Sequence, residues 1–359
     1  MRDDVRMRPF GFSKTEKDIY ESQKVEFNKK IGKLMKKSRA ESKRSECYIC
    51  GNECSSFCNS HSVPRFCLEN IALDGHVLYS GNLIEIPMFD KPKGVNEAGT
   101  FKIICNDCDS TVFRDYENPE SYSKEPTDKM ISQMAMKNYL RNISKREFEN
   151  AIYHNIEQLP DEVVEYIQSI NELDLKEYVA GFDYSKKAIV SKWDDHFYLG
   201  YFEILDYVVP LAFQNCIALI SDLEGNVVNN IYNNSSDYSL SELHISVFPL
   251  KNHSVVLIFV KKGEKKYKNF LKQFRKLTTQ EKLQVINYII FSYSEDVFIY
   301  KGLDKEIIED QEFKKVIQQS TIAEATTPFA DSLGEAQKTF DLNNRHLIPN
   351  LLDSVYKVR

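Results

Sequence analysis

No stretch of the 359-residue chain approaches the roughly 18 consecutive apolar residues that a membrane-spanning helix requires. The start, Met-Arg-Asp-Asp-Val-Arg, is charged and has no hydrophobic stretch behind it, so it does not read as a signal peptide. Internal repeats and low-complexity tracts are also missing. These absences predict a cytoplasmic protein with no membrane contact. With 42% hydrophobic residues, the chain can bury a substantial core and more than one domain.

Cysteine is scarce everywhere except one region. Seven of the eight lie between positions 47 and 108, and only Cys216 stands apart. They are arranged as Cys47-Tyr-Ile-Cys50, then Asn59-Ser-His61-Ser-Val-Pro64, then Cys105-Asn-Asp-Cys108-Asp109. In a reducing compartment such clustered pairs serve as metal ligands more often than as disulfides. Two Cys-x-x-Cys pairs separated by a long insert supply four thiolates to one tetrahedral zinc, because each pair sits on a tight turn that points both sulfurs inward. Cys54-x-x-x-Cys58-x-x-His61 offers a competing ligand set, which would withdraw His61 from acid–base work. Cys67, between Phe66 and Leu68, reads as a small core residue.

Charge is distributed unevenly. Residues 1–46 carry a net +6 in a chain whose total is −6. The densest part contains Lys29, Lys30, Lys33, Lys36 and Lys37, directly before the first cysteine pair. Such a segment suits contacts to phosphates, which supply most nonspecific nucleic-acid affinity. The alternative is a solvated helix face.

Periodicity divides the chain further. Residues 14–44 predict a charged helix with Ile31, Leu34 and Met35 as its apolar stripe. A cysteine module follows over 47–122, closed by Asn118-Pro119 and a polar stretch. A helical connector is expected over 123–171, and an α+β regulatory or targeting domain over 172–359. In that last part Phe197–Val209 and Cys216–Ile220, with the turn Glu224-Gly225-Asn226, predict a hairpin. His244–Phe248 and Ser254–Val260 repeat the pattern around Lys251-Asn252-His253, giving an antiparallel sheet of about four strands. Helical patterning returns over Tyr267–Phe274 and Gln280–Phe291.

The two Cys-x-x-Cys pairs, the His61-Ser-Val-Pro64 element and the polar residue after Cys108 together resemble the zinc-braced HNH endonucleases, over 47–117. That resemblance implies a ββα-metal or treble-clef module followed by helices and a mixed antiparallel sheet with helices. It implies Cys47, Cys50, Cys105 and Cys108 as structural zinc ligands and His61, at the end of the first hairpin strand, as general base. Asp109, beginning a helix, would help to hold a catalytic Mg2+ or Mn2+, and Glu117, two turns further along that helix with Phe113 between, would be a second carboxylate. Double-stranded DNA is the implied substrate, and cytoplasmic modules of this kind with long appended domains resemble bacterial antiphage or restriction effectors. A regulatory protein partner, or self-association through the C-terminal domain, goes with that reading. The sequence departs from the family at Ser60, where many members carry an acid, and at Thr100, near the place of the central asparagine; Asn96 is out of register. These departures favour a noncatalytic zinc-binding scaffold for nucleic-acid or protein contacts.

Elsewhere the signals are weak. His76, after Asp74-Gly75, reads as a turn residue, Trp193-Asp194-Asp195-His196 as a polar loop and Ser294-Glu295-Asp296 as a helix–strand junction. The aromatic residues between 197 and 300 read as sheet core.

Overall fold

The computed structural model describes residues 8–9, 14–83, 92–156, 160–235, 237–320, 322–323 and 331–358. Strand β1 (Arg8–Pro9) pairs with Ile322–Ala323. Helix α1 (Lys14–Glu41) then runs 28 residues, a length favoured by its Lys, Glu, Gln and Met content and by the absence of proline. Its C-terminal end docks: buried Ser38 donates to the Ala151 carbonyl at 3.1 Å, and the Arg39 guanidinium lies over the Phe148 ring. Among the described residues no helix is long and apolar enough to cross a membrane.

The cysteine region forms small elements: β2 (Ser60–His61), α2 (Arg65–Asn70), β3 (His76–Tyr79), α3 (Ser80–Leu83), β4 (Lys93–Gly94), β5 (Thr100–Phe101) and α4 (Asn106–Val112). Strands β2 and β5 pair antiparallel, with His61 opposite Thr100. Gly99 makes the entry to β5 possible at φ +65°, where a Cβ would also fall 2.4 Å from the Phe298 ring.

Two long helices follow, α5 (Asp128–His154) and α6 (Asp161–Val190). Thr127 caps α5 by accepting from Met130 N–H, and Asn155 closes its C-terminal end by donating its N–H to the Ile152 carbonyl at 3.0 Å. They approach closely at Gly181, where a Cβ would lie 2.3 Å from the Tyr139 ring. Because α6 is continuous, the boundary expected at 171/172 falls inside a helix and is corrected by it.

Strands β6 (Phe197–Leu205), β7 (Leu211–Ile217), β8 (Leu243–Pro249) and β9 (Ser254–Lys261) precede α7 (Lys268–Arg275), α8 (Thr279–Tyr293) and β10 (Phe298–Ile299). The sheet has seven strands in the order β4-β3-β10-β7-β8-β9-β6, all antiparallel, rather than about four. The β8–β9 hairpin matches expectation. The turn at Glu224–Asn226 closes only an isolated bridge between Ser221 and Val227, and β7 instead pairs with β8.

Alternation along β9 explains the packing. Val256, Ile258 and Val260 face a core shared with α7 and α8, while Val255, Leu257 and Phe259 face a second core shared with α5 and the cysteine region. A strand buried on both faces reads as one continuous apolar run, and Phe197, Phe213, Phe248, Phe259 and Phe298 are sheet core as expected. Cys47, Ile104, Phe113, Met134 and Phe259 belong to the same buried cluster, so packing is unbroken across position 122.

That second core contains a polar seam. His244 is buried and stacked on Phe259, with Nδ1 accepting from Asn138 Nδ2 at 3.0 Å and Nε2 near the Tyr139 hydroxyl at 3.3 Å. Burial pushes its pKa down to about 3. Partly buried Glu242, which accepts from the Cys216 thiol, is pushed up by burial to about 7. The two shifts oppose each other: as pH falls below 6.5 the unfolded histidine gains a proton that the folded one refuses, whereas Glu242 gains one more readily when folded. Relative to wild type, the stability of His244→Phe should therefore rise on acidification from pH 7 to 5, and that of Glu242→Gln should fall. Each slope difference should approach about 1.4 kcal/mol per pH unit, read by urea denaturation. Parallel pH profiles in all three proteins would count against this assignment.

Candidate functional site

The backbone builds the sulfur cluster from two different turns. Cys47–Cys50 forms a knuckle closed by Gly51 N–H donating to the Cys47 carbonyl at 2.8 Å, with Gly51 at φ +73°. Cys105 is the N-cap of α4, its sulfur accepting from Cys108 N–H at 3.4 Å. The Sγ atoms of Cys47, Cys50, Cys105 and Cys108 all lie within 4.8 Å of one another. A tetrahedral zinc with Zn–S bonds of about 2.3 Å places its sulfurs about 3.8 Å apart, so the set fits such an ion after a small contraction.

Local electrostatics agree with thiolate ligands. Against burial, which acts to raise it, N–H groups of Cys50, Cys105 and Ile49 bring the Cys47 thiol down to about 7. Burial and hydrogen bonds with the other three sulfurs push Cys108 up. Cys108 thus retains a proton that a zinc ion would displace.

The competing set of Cys54, Cys58 and His61 is not assembled: among the described residues the four-sulfur group is the one such metal-ligand cluster. Cys54 Sγ lies 3.4 Å from the Asn52 carbonyl, while the Cys58 thiol donates to Asp109 Oδ2 at 3.2 Å. Burial and the Asp109 carboxylate push Cys58 up to about 12.

His61 lies on β2, which pairs with β5 although β3 and β4 of the larger sheet intervene in sequence, so the pair is not the hairpin that the resemblance implies; its Nε2 lies 2.9 Å from the Val95 carbonyl. A carbonyl only accepts, so Nε2 carries the proton and Nδ1 keeps its lone pair. Burial holds the pKa below its ordinary value; Lys137 and Arg65 act in the same direction, while the Val95 carbonyl opposes them. The ring is therefore neutral at pH 7.

A residue not singled out from the sequence dominates the centre. Lys137 of α5 is completely buried, and its ammonium donates to Ser60 Oγ at 2.8 Å, Asp109 Oδ1 at 2.8 Å and Glu117 Oε1 at 3.0 Å. The same nitrogen lies 3.9 Å from the centre of the Phe113 ring. Three protons meet three acceptors, so the ammonium is saturated. Ser60 also donates to Asp109 Oδ1 at 2.6 Å. Despite burial, the Lys137 charge and the Ser60 and Cys58 hydrogen bonds hold Asp109 below the usual carboxylate range.

This arrangement revises the expected metal position. Helix α4 begins at Asn106, placing Asp109 in its first turn, and ends at Val112, so Glu117 is not two turns along the same helix. It arrives through the following turn, where its N–H donates to the Phe113 carbonyl at 3.1 Å. Asp109 and Glu117 do converge, but on a lysine: both Asp109 oxygens and one Glu117 oxygen already have partners. As they stand, these donors do not fit a divalent cation. A signal for Lys137 was present in the sequence, since it is a lone charge three residues after Met134 on the apolar face of a helix.

The remaining candidates lie elsewhere. Lys29, Lys30, Lys33, Lys36 and Lys37 are all exposed on α1. At 100° per residue they span one face, roughly opposite Phe27, Ile31, Leu34 and Ser38. His76 opens β3 after the Asp74-Gly75 turn. His196 gives Nδ1 to Asp128 at 2.7 Å from a loop, and Glu295 and Asp296 pair with Lys145 and Arg141 between α8 and β10.

Compared with family models, with curated proteins and with solved structures, the chain matches none.

Purified protein should hold about one zinc per chain by metal analysis, and Cys47→Ser/Cys105→Ser should lose it together with local order. Zinc retained in that double variant would argue against this cluster as the ligand set. Lys137→Met should cost about 3–5 kcal/mol in urea unfolding, because two carboxylates lose their buried countercharge. A loss below about 1 kcal/mol would show that the ammonium is not what neutralises them.

Proposed function

We propose that the protein is a zinc-braced endonuclease of the HNH type, hydrolysing phosphodiester bonds in nucleic acid, with double-stranded DNA as the first substrate to test. The observation that carries this reading is the state of His61: held on the β2–β5 strand pair, neutral, with Nε2–H fixed on the Val95 carbonyl and Nδ1 left as a base. A water held at Nδ1 beside a scissile phosphate would lose its proton to the ring as it attacks phosphorus. The zinc's part would be to hold the knuckle and the start of α4, next to β5, in register. A cytoplasmic antiphage or restriction role, with a regulatory partner or self-association through the C-terminal half, extends the same proposal.

The expected Mg2+ or Mn2+ finds both Asp109 oxygens and one Glu117 oxygen already committed, so no step is routed through it. That saturation supports a second reading, a noncatalytic zinc-braced scaffold that binds nucleic acid or protein.

Plasmid and oligonucleotide cleavage in Mg2+, Mn2+ or EDTA separates the two. On the first reading wild type cuts, and His61→Ala loses at least about 100-fold in rate while keeping zinc and fold. Full activity in His61→Ala would remove the assigned base. Inert wild type across DNA, RNA and both metals would favour the scaffold.

A further inference from the structure

Residues 261–276, from the end of β9 through α7, hold eight Lys/Arg and a single acid, Glu264, in a chain of net −6. No other stretch outside the N-terminal segment combines such charge with a defined surface. Seven of the eight cations are exposed, and Lys266 is partly buried over the Tyr238 ring. Among the described residues only Lys262 has a carboxylate within 4 Å, that of Asp195. The carboxylate of Glu264 accepts from Lys266 N–H at 2.8 Å.

The fold orients this charge. Phe270, Leu271 and Phe274 bury the inner face of α7, which leaves Lys268, Lys272, Arg275 and Lys276 on the outer face. Between that face and the sheet lies a cleft of about 180 Å³, bordered by Lys261, Lys268, Arg275 and Tyr198. The Arg275 guanidinium lies over the Tyr198 ring and donates to its hydroxyl at 3.3 Å, so one wall is both cationic and aromatic. Tyr198 stands on β6, an edge strand whose outer side has no partner strand among the described residues.

Position relates this surface to the zinc cluster. Helix α6 carries Phe182 against Tyr48 and gives the Lys186 ammonium to the Ile49 carbonyl, both in the cysteine knuckle. Tyr184, on another side of the same turn, lies under the Lys261 ammonium at 4.3 Å. The knuckle and the start of the basic surface are therefore separated by about one helix diameter, 10–12 Å.

We propose that the β9–α7 surface binds the phosphodiester backbone of nucleic acid, with one phosphate seated in the cleft between Arg275, Lys268 and Lys261. This rests on the nucleic-acid part of the function proposed above and not on catalysis. Unpaired cations converging on a cleft match a chain of phosphates, and the neighbouring tyrosine gives an exposed base a ring to stack on.

The test is binding, read by fluorescence anisotropy of a labelled duplex over a range of salt. Lys268→Gln/Lys272→Gln/Arg275→Gln alters exposed side chains only. It should weaken binding at least tenfold near 100 mM salt and lower the slope of log K against log salt by about 2.7, since each phosphate that is no longer neutralised removes about 0.9. A parallel variant with the five α1 lysines changed to Gln shows what that helix adds. If wild type binds and the α7 variant keeps its slope, the inference fails while the nucleic-acid reading stands. If wild type binds no nucleic acid, both fall. Tighter, α7-dependent binding to inorganic phosphate or AMP than to duplex would make the cleft a small-anion site. Such binding to anionic phospholipid vesicles would make it a lipid-facing surface. Either result overturns the inference.

Discussion

The Lys137 ammonium is the point on which the arrangement of the cysteine region depends. It reaches out of α5 and binds Ser60 on β2, Asp109 on α4 and Glu117 on the turn that follows. Three separately folded small elements thus share one countercharge supplied by a long helix. Two carboxylates brought this close would repel each other and would remain costly to bury without it. The four-sulfur cluster, a candidate zinc site, meets the same α4 from another side and joins its first turn to the knuckle at Cys47–Cys50. Between a four-sulfur clamp and a buried ion cluster, elements of two to seven residues, too short to be stable alone, gain defined positions.

The same lysine changes the chemistry that the site can perform. A divalent cation exerts its effect by offering open coordination positions to a phosphate oxygen. A saturated, completely buried ammonium offers none. His61 is the reverse case, with one nitrogen committed to a carbonyl and the other left basic. The site therefore combines a neutral imidazole that has one basic nitrogen with a structural, buried positive charge. Under the proposed function, cutting would turn on His61 and Lys137 rather than on the four cysteines.

The parts of this architecture legible in sequence were those written in local spacing. The cysteine pairs specify turns that point both sulfurs inward, and they converge as their spacing implies. Helices α1, α5, α7 and α8, and the β8–β9 hairpin, follow from periodicity and from one short turn. What the sequence did not disclose was long-range. Strand β6 pairs with β9, fifty residues away, and β3 enters the sheet from inside the cysteine region, pairing with β10. Each of these contacts is set by which apolar faces remain unburied once the rest has packed, which no local pattern records. Lys137 was missed for a related reason: a single lysine on a helix is normally solvated, and its burial is intelligible only when acids from 20 and 28 residues upstream are folded against it.

Charge shows the converse limit. Residues 29–44 and 261–276 carry the same charge, eight Lys/Arg and one acid each, and the second run borders a cleft through Lys261, Lys268 and Arg275. A basic helix that docks by one end, as α1 does, presents its lysines to any polyanion without shaping a site. The β9–α7 segment differs because its apolar face is locked into the sheet core through Phe270 and Phe274, so its cations are carried on a rigid base. Pre-positioned charge loses less conformational entropy on binding than charge on a loosely held helix, and it also restricts which phosphate geometries can be met. Helix α6 touches both that surface, through Tyr184 under Lys261, and the cysteine knuckle, through Phe182 and Lys186, so one helix joins the proposed binding surface to the four-sulfur cluster.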